Sequence, residues 1–302
     1  MAKILVVGSI NMDLVVRVSQ IPKPGETIIG GDFETYPGGK GANQAVAASR
    51  MGGEVTMVGR VGNDDFGNLL IQGLVDNRVR TTYVIKDSDV STGIAMIAVE
   101  PSGQNIIMVA SGANAEVSAA DVNNARDLMR EADLLLVQLE CPLDTISKAI
   151  DLAKAYDVAV VLNPAPAQHL SEGLLSMVDY LTPNETELAL LSGETDMEKG
   201  IEKLKEWGVK NLIITLGSNG VRVVNKELDR HFPSFDVTAI DATAAGDAFN
   251  GALAVGLAEG KPLSEAVHYG NAAGALAASK RGAQPSLPTR EDVENLIRDR
   301  NK

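Results

Sequence analysis

The sequence predicts an α/β fold built on a mainly parallel sheet with helices on both faces. Three observations carry that expectation. Short continuous apolar runs recur along the 302 residues, helical patterns lie between them, and 45% of the chain is apolar against 22% charged. Apolar strands alternating with helices belong to parallel sheets, because only a sheet covered on both sides hides both strand faces from water. Aromatic residues make up 4%, so the core must come mainly from Val, Ile, Leu, Ala and Met.

In chain order, "KILVVG" (3–8), "LLLVQL" (134–139), "VAVVLN" (158–163), "DYLTP" (179–183) and "NLIITLG" (211–217) read as buried strands. Helical spacing occupies 120–131, 144–156, 186–191, 196–207 and 248–258, and 289–302 reads as an amphipathic surface helix. Residues 12–37 and 91–110 alternate more like hairpin strands, with a turn at "PSGQ" (101–104). Both segments leave the main fold and return, so a small inserted sheet within one domain of 302 residues is expected. Ligands of such sheets bind at the carboxyl edge.

The formal net charge is −13 with no basic run, which lacks the electrostatic footprint of a nucleic-acid binder. The apolar run near the start is too short for a signal peptide, and no later run reaches a membrane-spanning length. Cys141 is the only cysteine, with no base in evidence beside it, and reads as inert packing. A soluble cytoplasmic protein without nucleic-acid or membrane partners is expected.

"DATAAGD" (241–247) ends where the helical pattern of 248–258 begins. The first N–H groups of a helix lack internal partners, and the helix dipole adds positive charge there. Ala244, Ala245 and Gly246 leave those donors uncovered, which suits a phosphate or developing negative charge. Asp247 would then face a second substrate and accept a proton from its hydroxyl. A helix start of small residues capped by an Asp has the same pattern.

"YPGGKGANQ" (36–44) places Gly38, Gly39, Lys40, Gly41 and Asn43 at another helix start; the lysine precedes the last glycine, so no Walker A loop is present. It reads as a turn exposing backbone near a polar ligand, or as a structural glycine turn. In "GSINMD" (8–13), Asn11 and Asp13 alternate and can face one pocket, where they suit hydroxyl recognition; loop capping explains either singly. "QLECP" (138–142) and "TPNETE" (182–187) bring Glu140, Asn184, Glu185 and Glu187 to the sheet edge, an oxygen-rich set fit for Mg²⁺ or for a solvated helix start. "TLGSNG" (215–220) is a strand end and glycine turn that could lie under a nucleotide. His169, His231 and His268 have no metal-ligand spacing.

With "VGNDDFG" (61–67), "LNPAPA" (162–167), "DATAAGDAFNGALA" (241–254) and "RGAQPSLP" (281–288), these motifs resemble the PfkB-type carbohydrate kinases, in their ribokinase branch, over nearly the whole chain. The resemblance implies a ribokinase-like three-layer α/β/α sandwich with a small β-sheet lid, which often pairs with its twin in a homodimer. It implies transfer of the γ-phosphoryl group of ATP to the 5-hydroxyl of D-ribose. Asp247 would be the base and the backbone of Ala244, Ala245 and Gly246 the anion hole. Asn11, Asp13, Gly39, Lys40, Asn43 and Glu140 would hold the sugar. Asn184, Thr215, Gly217, Gly220 and Asn271 would line the ATP site, with Gly246 at its phosphates and Glu187 orienting hydrated Mg²⁺. Asp241, Thr243, Ala277, Lys280, Gly282 and Ser286 would surround an activating K⁺. The family commonly carries Thr where this chain has Ala242 and Ala248. The competing expectations are a kinase for another sugar or a nucleoside, and a silent sugar binder on the same fold.

Overall fold

The computed structural model describes residues 2–101 and 104–300. Strand β1 (Lys3–Val7) opens the large sheet, and β2 (Asn11–Arg17) and β3 (Phe33–Gly38) leave it for a small one. The chain returns with β4 (Glu54–Gly62) and β5 (Arg80–Asp87), then completes the small sheet with β6 (Gly93–Val99) and β7 (Asn105–Ala110). The strands β8 (Leu134–Val137), β9 (Ala159–Leu162), β10 (Tyr180–Leu181), β11 (Asn211–Thr215), β12 (Val221–Val224) and β13 (Asp229–Phe232) finish the large sheet.

Its spatial order is β13-β12-β11-β10-β9-β8-β1-β4-β5, parallel from β5 through β11 and antiparallel at β12 and β13. From β1 the chain builds outward in one direction through β4 and β5. It then restarts beside β1 at β8 and builds the other way. The carboxyl ends of β1 and β8 therefore flank the topological switch point, where open α/β sheets bind ligands.

Alternation along β1 shows why the strands are apolar throughout. Leu5 and Val7 pack with Ile146, Ala149 and Ile150 of the helix Leu143–Ala155. Ile4 and Val6 face the other layer, with Ala45 and Val46 of the helix Lys40–Arg50 and Ala252 and Val255 of the helix Ala245–Ala258. These two helices are rich in small residues and pack closely. A Cβ on Gly251 would lie 2.5 Å from that of Ala47.

The expected strands and most expected helices are present. The helix expected over 120–131 is instead two, Ala119–Asn124 and Arg126–Glu131, parted at Ala125 where the poor helix formers Asn123 and Asn124 end the first. Of the segment 12–37, the second strand begins only at Phe33; Gly30 and Gly31 precede it outside any strand, although the Gly31 N–H still donates to the Arg17 carbonyl at 2.7 Å. The turn expected at 101–104 falls partly on residues 102 and 103, which lie outside the described residues. The small sheet runs β3-β2-β6-β7, and every residue of its edge strand β7 is exposed.

Candidate active site

At the switch point, the Ser9 hydroxyl after β1 donates to the Glu140 carboxylate after β8. The same Glu140 oxygen accepts the Lys40 N–H at 3.0 Å, and Ser9 Oγ accepts the Gly41 N–H at 3.3 Å. Glu140 thus anchors the positive end of the helix Lys40–Arg50 against the sheet edge. The glycines permit that approach. Gly39 has φ of 87°, and a Cβ on Gly41 would lie 2.5 Å from the Ser9 nitrogen. The glycine turn is therefore tight backbone packing and not a loosely exposed loop.

Asn11 and Asp13 alternate on β2 and are buried. Asn114 fixes the first: its side chain accepts the Ile10 N–H at 2.8 Å and donates to the Ile10 carbonyl at 3.1 Å and to Asn11 Oδ1 at 2.7 Å. Burial, with the carboxylates of Glu140 and Asp247, pushes Asp13 up to about 7, against the pull of Lys40. Its contribution to stability is accordingly complete below the unfolded value of about 3.8 and is lost as pH rises toward 7. Burial lowers Lys40, but Asp247, Glu140, Glu187 and Asp13 outweigh it and raise the ammonium above its ordinary value. Desolvation likewise pushes Glu187 up. One lysine therefore stands among four carboxylates from four separate segments.

Asp247 lies in the first turn of the helix Ala245–Ala258 and is 6% exposed. Asn43 donates to one of its oxygens and Gln44 to the other, each at 2.9 Å. The helix begins from Ala244 in the left-handed region, at φ 59° and ψ 9°, an uncommon conformation for a residue with a Cβ. The Ala245 N–H donates to the Ala242 carbonyl at 3.1 Å and that of Ala248 to Ala244 at 2.8 Å. Between them, the N–H groups of Gly246 and Asp247 have no backbone acceptor among the described residues. A Cβ on Gly246 would meet nothing within 4 Å, so the approach to those donors is open.

The remaining expected residues are also placed. Asn184 and Glu187 form a capping box, each accepting the other's N–H at 2.8 Å, so the acidic "NETE" first serves its own helix. Thr215 bridges to Asn184, while Gly217 and Gly220 turn the chain at φ 55° and 96°. Asn271 donates to the Pro233 carbonyl at 3.0 Å. Asp241 accepts the N–H groups of Thr243 at 2.9 Å and Gly282 at 3.0 Å, tying two loops together. Burial works to raise its carboxyl, yet these donors and Arg17 hold it below the ordinary value. Ala277 and Ser286, on either side of Gly282 in the sequence, are buried, and Lys280 is exposed with its N–H on the Ala277 carbonyl at 3.1 Å. Among the described residues, no cluster of three or more His, Cys, Asp or Glu could hold a metal by side chains alone. A separate cavity of about 370 Å³ is lined by Arg230, Phe232, Pro233, His268 and Arg300 among others, and of the site residues above it shares only Pro233, the acceptor of Asn271.

Several polar residues of the site are not apparent from the sequence alone. Ser9, Gln138, Asn163 and Thr182 each stand one or two residues past a strand end, and Gln44, Asn114 and Asn250 lie on the elements that face them. A polar residue directly after an apolar strand is the signal that would have found the first four.

The chain matches the pfkB family of carbohydrate kinases over residues 1–290. It belongs to that family. It is 43% identical over 297 residues to the ribokinase of Haemophilus influenzae, covering 97% of each chain. The solved ribokinase of Thermotoga maritima is 45% identical with a TM-score of 0.90, over 99% of this chain and 100% of that one. The ribokinase of Arabidopsis thaliana, solved with ribose and ATP, is 33% identical with a TM-score of 0.90, over 98% of this chain and 99% of that one. The fold of this kinase is accordingly ribokinase-like, with a large mostly parallel sheet and a small separate one.

Proposed function

We propose that this kinase transfers the γ-phosphoryl group of ATP to the 5-hydroxyl of D-ribose, giving D-ribose 5-phosphate and ADP. The observation that carries the reading is a buried carboxylate, Asp247, set beside open helix N-terminal donors at Gly246. The choice of ribose follows from the ribokinases that this chain resembles end to end.

Asn11, Asp13, Gly39, Lys40, Asn43 and Glu140 hold the sugar. Asn43 supplies a specific reason: its buried Oδ1 has no partner among the described residues, and a sugar hydroxyl would satisfy it. Asp247 takes the proton of the 5-hydroxyl as that oxygen bonds to the γ-phosphorus and the bond to the ADP oxygen breaks. The N–H groups of Gly246 and Asp247 face the charge on the transferring group, with Ala244 turning the chain beside them; the Ala245 N–H expected to join them is already given to the Ala242 carbonyl. Asn184, Thr215, Gly217, Gly220 and Asn271 line the nucleotide site.

Glu187 fits a role at hydrated Mg²⁺: one oxygen caps Asn184 and the other has no donor among the described residues. When bound, Mg²⁺ neutralises charge on the phosphates. Asp241 fits a monovalent cation such as K⁺, since it is an ionised, fixed carboxylate in the loop that precedes Ala244. Thr243, Ala277, Lys280, Gly282 and Ser286 would complete that site, largely through carbonyl oxygens. Ala242 and Ala248 leave it intact. Ala242 contributes its carbonyl to the turn, and Ala248 is packed in the core. Replacing K⁺ with tetramethylammonium should slow turnover at least about tenfold, a barrier change near 1.4 kcal/mol. Equal rates in the two salts would remove the cation site.

The raised Asp13 gives the sugar site a pH dependence. A carboxylate accepts from sugar hydroxyls better than a carboxylic acid does. With Asp13 near 7, the affinity for D-ribose should rise about tenfold between pH 6 and pH 8. Calorimetric titration checks this, and Asp13→Asn should flatten the profile. An unchanged profile would separate Asp13 from the sugar.

The small sheet is read as a lid that closes over the sugar and excludes water. Ile107, Met108 and Val109 of β7, with Phe33 of β3, are all more than half exposed, which suits burial against a second copy of the chain. Sedimentation should give a dimer that Met108→Lys weakens; a monomer at micromolar concentration would contradict this. No described helix is long and apolar enough to cross a membrane. Burial and Glu140 push the Cys141 thiol up, leaving it unreactive; with this single cysteine no intrachain disulfide can form, which suits a reducing cytoplasm.

The test of the substrate is ADP release from Mg·ATP with D-ribose, deoxyribose, fructose and adenosine side by side. D-Ribose should be turned over with the highest kcat/KM. Preference for another acceptor would move the error to the sugar pocket, and no ADP with any would favour the silent binder.

A further inference from the structure

Of the two side-chain hydrogen bonds that Asp247 receives among the described residues, one comes from a residue that none of the roles above requires. Gln44 is fully buried, and its Nε2 donates to Asp247 Oδ1 at 2.9 Å and to Asn163 Oδ1 at 3.0 Å. Its Oε1 accepts from Gln138 Nε2 at 2.7 Å. Asn163 in turn donates from Nδ2 to the Thr182 carbonyl at 3.2 Å.

The chain of donors has a fixed direction. The Thr182 carbonyl can only accept, so Asn163 must present its amide nitrogen there and its oxygen to Gln44. Gln44 must then turn its own nitrogen toward both Asn163 and Asp247, and its oxygen toward Gln138. An amide flip at any point would set like groups against each other in a dry interior, where an unmade hydrogen bond is expensive. The orientation of Gln44 is therefore set by the sheet and not by Asp247.

Its anchors are also placed systematically. Gln138, Asn163 and Thr182 stand directly after the adjacent strands β8, β9 and β10. Thr182 reaches the other half of the site as well. Its hydroxyl donates to Asn250 Oδ1 at 2.7 Å, and Asn250 Nδ2 donates to the Gly246 carbonyl at 2.8 Å. One residue of the sheet edge thus references both the carboxylate and the helix turn beside it.

We infer that Gln44 is a positioning residue for the phosphoryl transfer: held by Asn163 and Gln138, it fixes the rotation of the Asp247 carboxylate so that a lone pair faces the acceptor hydroxyl. The inference rests on Asp247 being the base. Gln44 is fully buried behind Asp247. It acts by occupying one oxygen from behind, while Asn43 occupies the other. A carboxylate free to rotate or shift by about 1 Å loses on the order of 10² in rate.

The experiment is a double-mutant cycle. Gln44→Met keeps the volume and removes the amide; it is made alone and with Asp247→Asn, and kcat, KM for ATP, the D-ribose Kd and Tm are measured for each. The single variant should lose about 10- to 100-fold in kcat, with Kd and KM close to those of the parent. In the Asp247→Asn background the same change should cost less than about threefold, because no base remains to be positioned. Equal losses in both backgrounds, or a single variant with near-parental kcat, would overturn the inference. If Gln44→Met does not fold, Gln138→Met removes the support of the Gln44 oxygen instead and should show the same non-additivity with Asp247→Asn; additivity there would equally overturn it. Full activity of Asp247→Asn with Gln44 intact would be the separate failure of the base assignment.

Discussion

Asp247→Asn should lower kcat by about 10² to 10⁴, the usual scale for loss of a general base, while D-ribose still binds. The side chain keeps its size, so the sugar-facing groups stay in place. The amide oxygen can accept from only one of Asn43 and Gln44, which both donate to the carboxylate. One buried donor is left without a partner, and a loss of about 1–3 kcal/mol in stability should accompany the loss of rate. Steady-state kinetics with calorimetric D-ribose binding separates the two effects. Near-parental turnover would show that Asp247 is not the base, whatever the change in Tm.

Gly246→Val should produce the opposite pattern. A Cβ at Gly246 meets nothing within 4 Å, so the substitution should leave folding close to that of the parent. The added branch would stand over the first-turn N–H groups that face the transferring phosphoryl group. The cost should approach that of removing an oxyanion-hole donor, about 10² to 10³ in kcat. Unchanged turnover with unchanged Tm would mean that the phosphoryl group passes elsewhere.

The strands that form the centre of the large sheet are legible because burial on both faces forces continuous apolar runs, as in Ile4–Val7 and Leu134–Val137. β4 and β5 are less so. Thr56, Gly59 and Arg60 interrupt the first, and the second is a half-exposed edge strand whose polar residues break the run. In the site, Asn11, Asp13, Lys40, Glu140 and Asp247 are legible because each charged or polar group follows or precedes an obvious element. "NETE" is legible in a second sense: its capping box is written in the Asn-x-x-Glu spacing. Gln44 is not, because its partners Gln138, Asn163 and Asp247 lie 94, 119 and 203 residues away, and no local pattern joins them. The committed N–H of Ala245 depends on the left-handed turn at Ala244, which composition does not reveal.

The most direct measurement is phosphorus and proton NMR of the product formed from ATP and D-ribose. The account predicts one new phosphomonoester coupled to the C5 protons, in equal amount to the ADP released. A phosphate on any other carbon, or ADP with only inorganic phosphate, would contradict it.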